Sequence, residues 1–482
     1  SDGQLKGLGV SVGINSVTYK CQNKNCVFHG KLNIPVKVVD EEIYENPPSF
    51  ILGTIDKFAL LPWYSDAGKI FGSRGDNKHT VPPSLIIQDE IHLISGPLGT
   101  ISAIYEAAFD TLIRKLQKNI GVNPTGPKYI ASSATVRDSE KQLIRLLGRD
   151  SRIFPPRGLR INDSFFANTD ENPDNGRMYL GIMPQGWRST SAAHAVSGAF
   201  LQSVRYIAKN ENCKADLDFL WTTLCYCNSK RELGLINSAV NQEIIDRMKV
   251  CCVAQKEDPD EIIQLKKEEI SADMGKSISE VRDLLLSSNN DPGAIDFVPA
   301  TNMISVGIDI DRLGSMIVNG QPKTSAEYIQ ASSRVGRNPD NIGPGVVIAL
   351  YSPAKPRDRS HYEQFKSYHR TFYRLVEPTS VTPGCEPALI RALHAALIIL
   401  MRHAIPEMRD NAGAGNFSKN EFGIEELLST FKERLLLPYS SQDYSYENYG
   451  QEYMGACTDD KSVSSNSIVD EIKFICEGVP LY

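Results

Sequence analysis

Excess positive charge is the first thing missing from this sequence. Lys and Arg total 52 against 58 Asp and Glu, a net charge of −6. That excludes a protein coated in basic residues, but a groove needs only a few placed cations, so local nucleic-acid contacts stay open. Long apolar runs are missing too. The most apolar helix-like stretch, ALIRALHAALIILMRHAIP, is interrupted by Arg391, His394 and Arg402. It is too short to span a bilayer, so a buried core helix and no membrane partner are expected. The ten cysteines form no dense small-domain framework. A reducing, cytoplasmic location is therefore the expectation. No segment repeats at a fixed period. No leader opens the chain, whose first residue is Ser1, and this predicts a fragment or a processed chain.

What is present is ordinary globular composition, 41% hydrophobic and 23% charged over 482 residues, enough for about two or three domains. Residues 1–40 read as irregular. From residue 48 to 135, short apolar runs alternate with helical stretches. SFILGT, SLIIQDE and KYIASSAT read as strands, and TISAIYEAAFDTLIRKLQKN as a helix with Ile101, Ile104, Ala108, Leu112 and Leu116 near one face. Such alternation favours a parallel sheet with helices on both sides. Residues 150–185, rich in Pro, Asn, Asp and Gly, read as a connector. LWTTLCYCNSKRE, AIDFVPATN, SMIVNG and GVVIALYS then supply a second β/α series. Beyond residue 376 the pattern turns helical, with Ile424, Leu427, Leu428, Phe431 and Leu435 on one stripe. The Tyr-rich segment at 439–465 carries no recognisable chemistry.

In LIIQDEIH, Leu85, Ile86 and Ile87 read as a strand buried on both faces, and Asp89 and Glu90 follow at its end. Two adjacent carboxylates repel, and burying either is costly without a cation nearby. A surface turn would explain them. So would a metal–nucleotide site, since open parallel sheets bind ligands at the carboxyl ends of their strands. Polar clusters recur at other strand ends: SSAT at 132–135, ATNMISVGIDI at 300–310, and YIQASSRVGR at 328–337.

The order and spacing of these clusters resemble the motor core of superfamily 2 helicases. DEIH is similar to motif II of the DExH branch, and Ser133 to Thr135 to motif III. Gly53 to Phe58 resembles motif Ib, TLCYCNSKRE motif IV, ATN…VGIDI motif V, and QASSRVGR motif VI. DEEIYENPPSFILGTIDKFALLPW, NGQPKTSAEYIQASSRVGR and PRDRSHYEQF narrow the resemblance to the helicase subunits of DISARM anti-phage systems. The resemblance implies roles. Asp89 would hold Mg²⁺, Glu90 would orient and activate the attacking water, and His92 would touch Gln330 and report closure. Ser133 and Thr135 would couple the site to the domain interface. Arg334 and Arg337 would reach the γ-phosphate, a task suited to a planar, always charged guanidinium. Gly307 and Asp309 would lie near the nucleotide. Thr54 and Thr301, with Lys57 and Lys230 as cationic neighbours, would contact nucleic-acid phosphates. Taken singly, Arg334 and Arg337 could be surface ion-pair residues, Thr54 and Lys57 structural, and Asn228 to Lys230 a loop with a helix cap.

A motor of this kind also needs a Gly-rich loop ending in Lys-Ser/Thr. GKS occurs once, at Gly275 to Ser277, but Ile270 stands where the first glycine is required, and the segment lies between motifs IV and V. Cys21, Cys26 and His29 offer three ligands where zinc takes four, and no second CxxC exists. Free thiols are the simpler reading.

The sequence therefore predicts an α/β protein of two RecA-like parallel-sheet domains, the first incomplete, with a helical C-terminal region. The expected boundaries are 1–160, 161–375 and 376–482. The expected function is a nucleic-acid-dependent ATPase acting with ATP and Mg²⁺. Its expected partners are DNA, single-stranded or duplex with a single-stranded end, and a second defence-system subunit. The rival is a non-catalytic nucleic-acid-binding or scaffold module that retains the fold.

Overall fold

The computed structural model describes residues 8–13, 17–29, 33–74, 80–133, 139–154, 176–211, 213–262, 264–271, 275–302, 309–338, 343–371, 376, 381–416 and 423–437. The chain divides into two compact units. One combines the segments Ser1–Ile153 and Pro378–Tyr482; the other is Phe154–Glu377.

The first unit opens with an antiparallel hairpin of β1 (Leu8–Val12) and β2 (Val17–Cys21), in a region expected to be irregular. His29 Nδ1 lies 3.0 Å from the Cys21 carbonyl oxygen. Among the described residues, no three His, Cys, Asp or Glu side chains converge as a metal site. The short helices α1 (Asp40–Glu45) and α2 (Ile55–Phe58) follow. SFILGT, expected as a strand, is not one. Among the described residues it pairs with no strand, and Phe50 and Leu52 stand 75% and 88% exposed. β3 (Leu85–Gln88) and β4 (Lys128–Ala131) pair in parallel, Leu85 opposite Lys128 and Gln88 opposite Ala131. Between them runs α3 (Gly96–Asn119), with Ile104, Ala108, Leu112 and Leu116 buried on the expected face. α4 (Ser139–Leu147) follows β4.

The expectation that β3 is buried on both faces needs correction. Ile86, Gln88, Tyr129 and Ala131 alternate onto one partly buried face, and Ile86 packs on the core around α3. Leu85, Ile87 and Ile130 occupy the other face and are 46%, 58% and 47% exposed. A parallel strand is buried twice only when helices or further strands cover both faces, and among the described residues this sheet has two strands.

The second unit holds a five-stranded, all-parallel sheet in the order β5-β9-β8-β6-β7. β5 (Met178–Ile182), an edge strand, falls within the stretch expected to be a connector. α5 (Ser189–Asn210) and α6 (Asp218–Trp221) lead to β6 (Thr223–Cys227). α7 (Lys230–Ala239) passes through one π-helical turn, Val240–Ile244, into α8 (Ile245–Ala254). α9 (Ile278–Leu285) precedes β7 (Phe297–Ala300), the last named strand of the sheet, whose outer side is bridged by Lys267 and Ile270. β8 (Ser315–Asn319), α10 (Ser325–Ser332) and β9 (Val346–Leu350) complete the sheet, followed by α11 (Pro356–Glu363) and α12 (Phe365–Arg370). Alternation sorts the strand side chains. Cys225, Cys227, Ile317 and Ile348 pack with Leu201, Ile236 and Met248 on one face. Leu224, Tyr226, Met316 and Val318 pack with Val281, Tyr328 and Ile329 on the other. Both faces are covered, and the strands read as continuous apolar runs for that reason.

The chain then returns to the first unit with α13 (Glu386–Ala404) and α14 (Ile424–Leu436). α13 is the described helix long and apolar enough to cross a membrane, but it is mostly buried: Leu389, Leu393, Leu397 and Leu400 share a core with Leu112 and Leu116 of α3. Each such side chain contributes roughly 1.5–3 kcal/mol on burial. Ile424, Leu427, Phe431 and Leu435 of α14 close the same core.

Candidate nucleotide and nucleic-acid site

In the first unit the two strand ends carry the chemistry. β3 stops at Gln88, and the Ser132 N–H donates to the Gln88 carbonyl (2.9 Å), while the Ile91 N–H donates to the Ser132 carbonyl (2.9 Å). These two bonds fasten the turn after β3 to the turn after β4. Glu90 sits at φ 52°, ψ 43°, in the left-handed region. Only one other described non-glycine residue, Lys256, has a positive φ. A branched-chain or bulky residue pays a conformational cost there, and such backbone tends to persist where the surroundings over-determine it. The Glu90 N–H donates to Asp89 Oδ1 (3.0 Å), and the Ser132 hydroxyl donates to the same oxygen. Asp89 is exposed and Glu90 half-exposed.

Sequence reasoning singled out Ser133 and passed over Ser132, although the doublet stands in SSAT. Ser132 is the residue bonded to Asp89. Ser133 Oγ instead lies 3.4 Å from His92 Nδ1, which is also 3.4 Å from Glu90 Oε2. His92 is buried. Thus Asp89, Glu90, His92 and Ser133 come together, with Ser132 added; Thr135 lies outside the described residues. Beneath them, Gln88 Nε2 donates to Glu106 Oε1 (2.5 Å), and the Tyr129 hydroxyl donates to Glu106 Oε2 (3.2 Å). Burial pushes the Glu106 carboxyl up to about 7, against the pull of the Tyr129 hydrogen bond and the Arg434 charge.

Thr54, exposed, precedes α2 without a side-chain capping bond. Lys57 is not a free cation. Its ammonium meets Asp40 Oδ2 at 2.5 Å, and that carboxylate raises its pKa. The pair is exposed and exchangeable for a phosphate at little cost.

In the second unit, Thr324 caps α10 by accepting from the Glu327 N–H (3.2 Å). Gln330 lies half-buried on the helix and Arg334 half-buried just past it. Arg337 donates through Nε to the Ser333 carbonyl (3.2 Å), and its Nη1 pairs with the exposed Asp309. Between the arginines, Gly336 takes φ 62°, and a Cβ there would meet the backbone of Gly345 at 2.5 Å. The spacing of Arg334 and Arg337 is therefore set by a turn that only glycine fits. Thr301, at the end of β7, is buried, and its N–H donates to the Ile270 carbonyl (3.1 Å). Lys230 is the exposed first residue of α7. Ser229 caps that helix through the Glu232 N–H, and Glu232 accepts in return from the Asn228 N–H (3.1 Å). Gly307 lies outside the described residues.

The sheet reverses its winding between β6 and β8, where doubly wound folds open a crevice. Asn228 spans that point, donating to the carbonyls of Asn319 (2.8 Å) and Gly320 (3.1 Å). The sequence placed it in the stretch that resembles motif IV, or in a loop with a helix cap. At the motif that mimics a phosphate loop, Ser277 forms a complete capping box with Glu280 at the start of α9. That is the structural job of this GKS.

A family model for the helicase conserved C-terminal domain matches residues 222–339. The chain is 37% identical over 446 residues to the DISARM protein DrmA of Bacillus paralicheniformis, covering 86% of this chain and 39% of that protein. It is 24% identical over 294 residues to the ATP-dependent helicase HRQ1 of Saccharomyces cerevisiae, covering 59% of this chain and 23% of that one. The chain thus spans well under half the length of these curated relatives. Among solved structures, the DUF1998 helicase MrfA bound to DNA matches with a TM-score of 0.46 at 17% identity, over 72% of this chain and 38% of that one. The Mycobacterium smegmatis helicase Lhr bound to ssDNA and AMP-PNP matches with a TM-score of 0.42 at 16% identity, over 76% and 40%.

Proposed function

We propose that this DrmA homologue, with its helicase C-terminal domain and RecA-like sheet, is the greater part of an ATP-driven superfamily 2 motor of the DExH type that acts on DNA in phage defence. The observation that carries the reading is the bonded cluster of Asp89, Glu90, His92, Ser132 and Ser133 at two adjacent parallel strand ends. One Asp89 oxygen is held by Ser132 and the Glu90 N–H; a lone exposed carboxylate suits Mg²⁺, a hard cation that shares its shell with water and phosphate oxygens. Mg²⁺ would supply charge neutralisation on the phosphates. Glu90, fixed in an unusual backbone conformation, would orient and deprotonate the attacking water, with His92 holding its carboxylate. Arg334 and Arg337 would stabilise charge on the transferring phosphoryl group, a step governed by positioning and electrostatics. Thr54, Lys57, Lys230 and Thr301 would follow a nucleic-acid backbone without reading its sequence.

A second reading is a nucleic-acid-binding or scaffold module without turnover. The GKS at residues 275–277 is a helix cap and does not supply a phosphate-binding loop. The two readings part in one experiment. Single-stranded DNA is titrated at several salt concentrations beside a phosphate-release assay, for the wild-type chain and for Glu90→Gln. Both readings expect binding that weakens as salt rises. DNA-stimulated release abolished by Glu90→Gln supports a motor complete in this chain. Binding without release means that the phosphate-binding loop must be supplied from elsewhere or that the module is non-catalytic; adding that loop in a longer chain then decides. Turnover in Glu90→Gln near wild type overturns the assignment of Glu90.

A further inference from the structure

Beneath the strand ends lies an ionisable group that the proposed chemistry does not use. Glu106 is buried on α3. One carboxyl oxygen receives the Gln88 amide, and Gln88 is the last residue of β3, directly before Asp89. The other receives the Tyr129 hydroxyl from β4, three residues before Ser132. One carboxylate therefore ties both strands to the helix. Both bonds are donated into it, which is the pattern of a charged acceptor.

The surroundings also provide for the neutral acid. Gln88 Oε1 is buried and has no hydrogen-bond partner among the described residues. A protonated Glu106 must donate, and that amide oxygen is a buried acceptor wanting a donor on the side chain already bonded to it. Turning the Gln88 amide over brings that oxygen to the Glu106 hydroxyl and reverses the bond, while the amide N–H moves to the position the oxygen leaves. A carboxylate gives amide N–H to Glu106; a carboxylic acid gives Glu106 O–H to the amide oxygen. The proton comes from solvent, and no other group is consumed.

The charges facing Glu106 are balanced closely enough for either state. Asp110, on the same helix, disfavours the carboxylate, and Arg434 on α14 favours it. Asp110 itself is fully buried and pairs with Arg114 (3.0 Å), Arg149 (2.5 Å) and Arg434 (3.2 Å), so its charge is largely spent. β4 presents the Tyr129 phenol, held neutral by burial, and β3 only the Gln88 amide. α13 meets α3 through apolar side chains. Burial is what disfavours the charge, and it places the titration near neutrality.

We propose that Glu106 is a proton-linked positioning residue: its protonation reverses the bond to Gln88 and shifts the turn that carries Asp89 and Glu90 relative to Ser132. The proposal goes beyond the reading of the site as an ATPase centre and does not require it, because the movement belongs to the chain without ligand.

The test is an NMR titration of the full chain, labelled with ¹⁵N at isoleucine and serine and with ¹³C at the glutamate carboxyl, from about pH 5.5 to 8.5 with no nucleotide or DNA. The reporters are the Ile91 and Ser132 amides, which make the two bonds between the turns. Both are expected to titrate with the midpoint of the Glu106 carboxyl, and Glu106→Gln is expected to remove that titration. Gln88→Met, which cuts the link and leaves the acid in place, should leave the carboxyl titrating while both amides fall silent. His92→Asn is the control, because His92 lies beside Glu90 in the same turn. Amide titration that persists in Glu106→Gln and disappears in His92→Asn overturns the proposal, as do amides that never titrate in the wild type. Should Glu106→Gln fail to fold, Gln88→Met carries the same decision. A null result in phosphate release touches only the ATPase reading, and a null result here touches only Glu106.

Discussion

Gly336→Ala probes how the two arginines of the second unit are spaced. Gly336 lies between Arg334 and Arg337 at φ 62°, and its added Cβ would stand 2.5 Å from both Cα and N of Gly345. Those are backbone atoms, and the Gly345 carbonyl is engaged by the Met178 N–H at 2.7 Å, so the neighbour cannot turn aside. Three effects combine. A left-handed alanine costs about 1–2 kcal/mol. Restricting the unfolded chain returns about 0.4–1 kcal/mol. Forcing a methyl into filled space costs about 1–3 kcal/mol. The net expectation is a loss of roughly 2–4 kcal/mol. Gly186, in the same unit, is the control: its φ is 76°, and no atom lies within 4 Å of where its Cβ would stand. Gly186→Ala should lose only about 0–1.6 kcal/mol, the left-handed cost less the return from the unfolded chain. Urea unfolding followed by circular dichroism compares the two variants, with the slope held common. Equal midpoints for Gly336→Ala and Gly186→Ala would refute the reasoning, because the close approach to Gly345 would then carry no energy.

Two further outcomes follow from buried groups and caps. His403 is buried, with Nε2 3.0 Å from the Leu61 carbonyl oxygen, and burial lowers its pKa to about 4. Its folded pKa lies below its unfolded one, so the stability it contributes is complete above about pH 6.5 and is lost as pH falls towards 4, by at most about 3 kcal/mol. His403→Gln should flatten that part of the pH profile of unfolding. Glu106 acts with the opposite sign, its raised pKa removing stability as pH rises from about 4.5 to about 7, so the contribution of His403 is read from the variant-minus-wild-type difference. Ser277→Ala removes a capping box and should cost about 1 kcal/mol while leaving nucleotide affinity unchanged, as measured by unfolding beside titration of a fluorescent ATP analogue. Lost nucleotide affinity at unchanged stability would return this GKS to the phosphate-loop role.

Local sequence determined the element types wherever one face or both faces are filled. The 3.6-residue stripe of α3 and α14 and the apolar runs of β6, β8 and β9 were legible because burial repeats with the period of the element. The strand-end motifs were legible for a similar reason: an abrupt change from apolar to polar marks the end of a buried strand. Tertiary structure alone decided the rest. SFILGT has strand composition but no partner strand among the described residues, and a strand without a neighbour leaves its backbone groups unpaired. Which face of β3 is covered depends on α3, and β5 is a strand because β9 lies beside it. No local pattern announces that Arg434 will meet Asp110 or that α13 will share a core with α3 some three hundred residues earlier, because such pairings depend on where the chain returns. The same is true of the site. Asp89, Glu90 and His92 could be read in line, but the Ser132 bond to Asp89 comes from the register of two parallel strands, and the left-handed Glu90 from the turn that register imposes. Glu106 was invisible in sequence, one acid on a long helix, until folding placed it under both strand ends, where removal from water makes its proton matter.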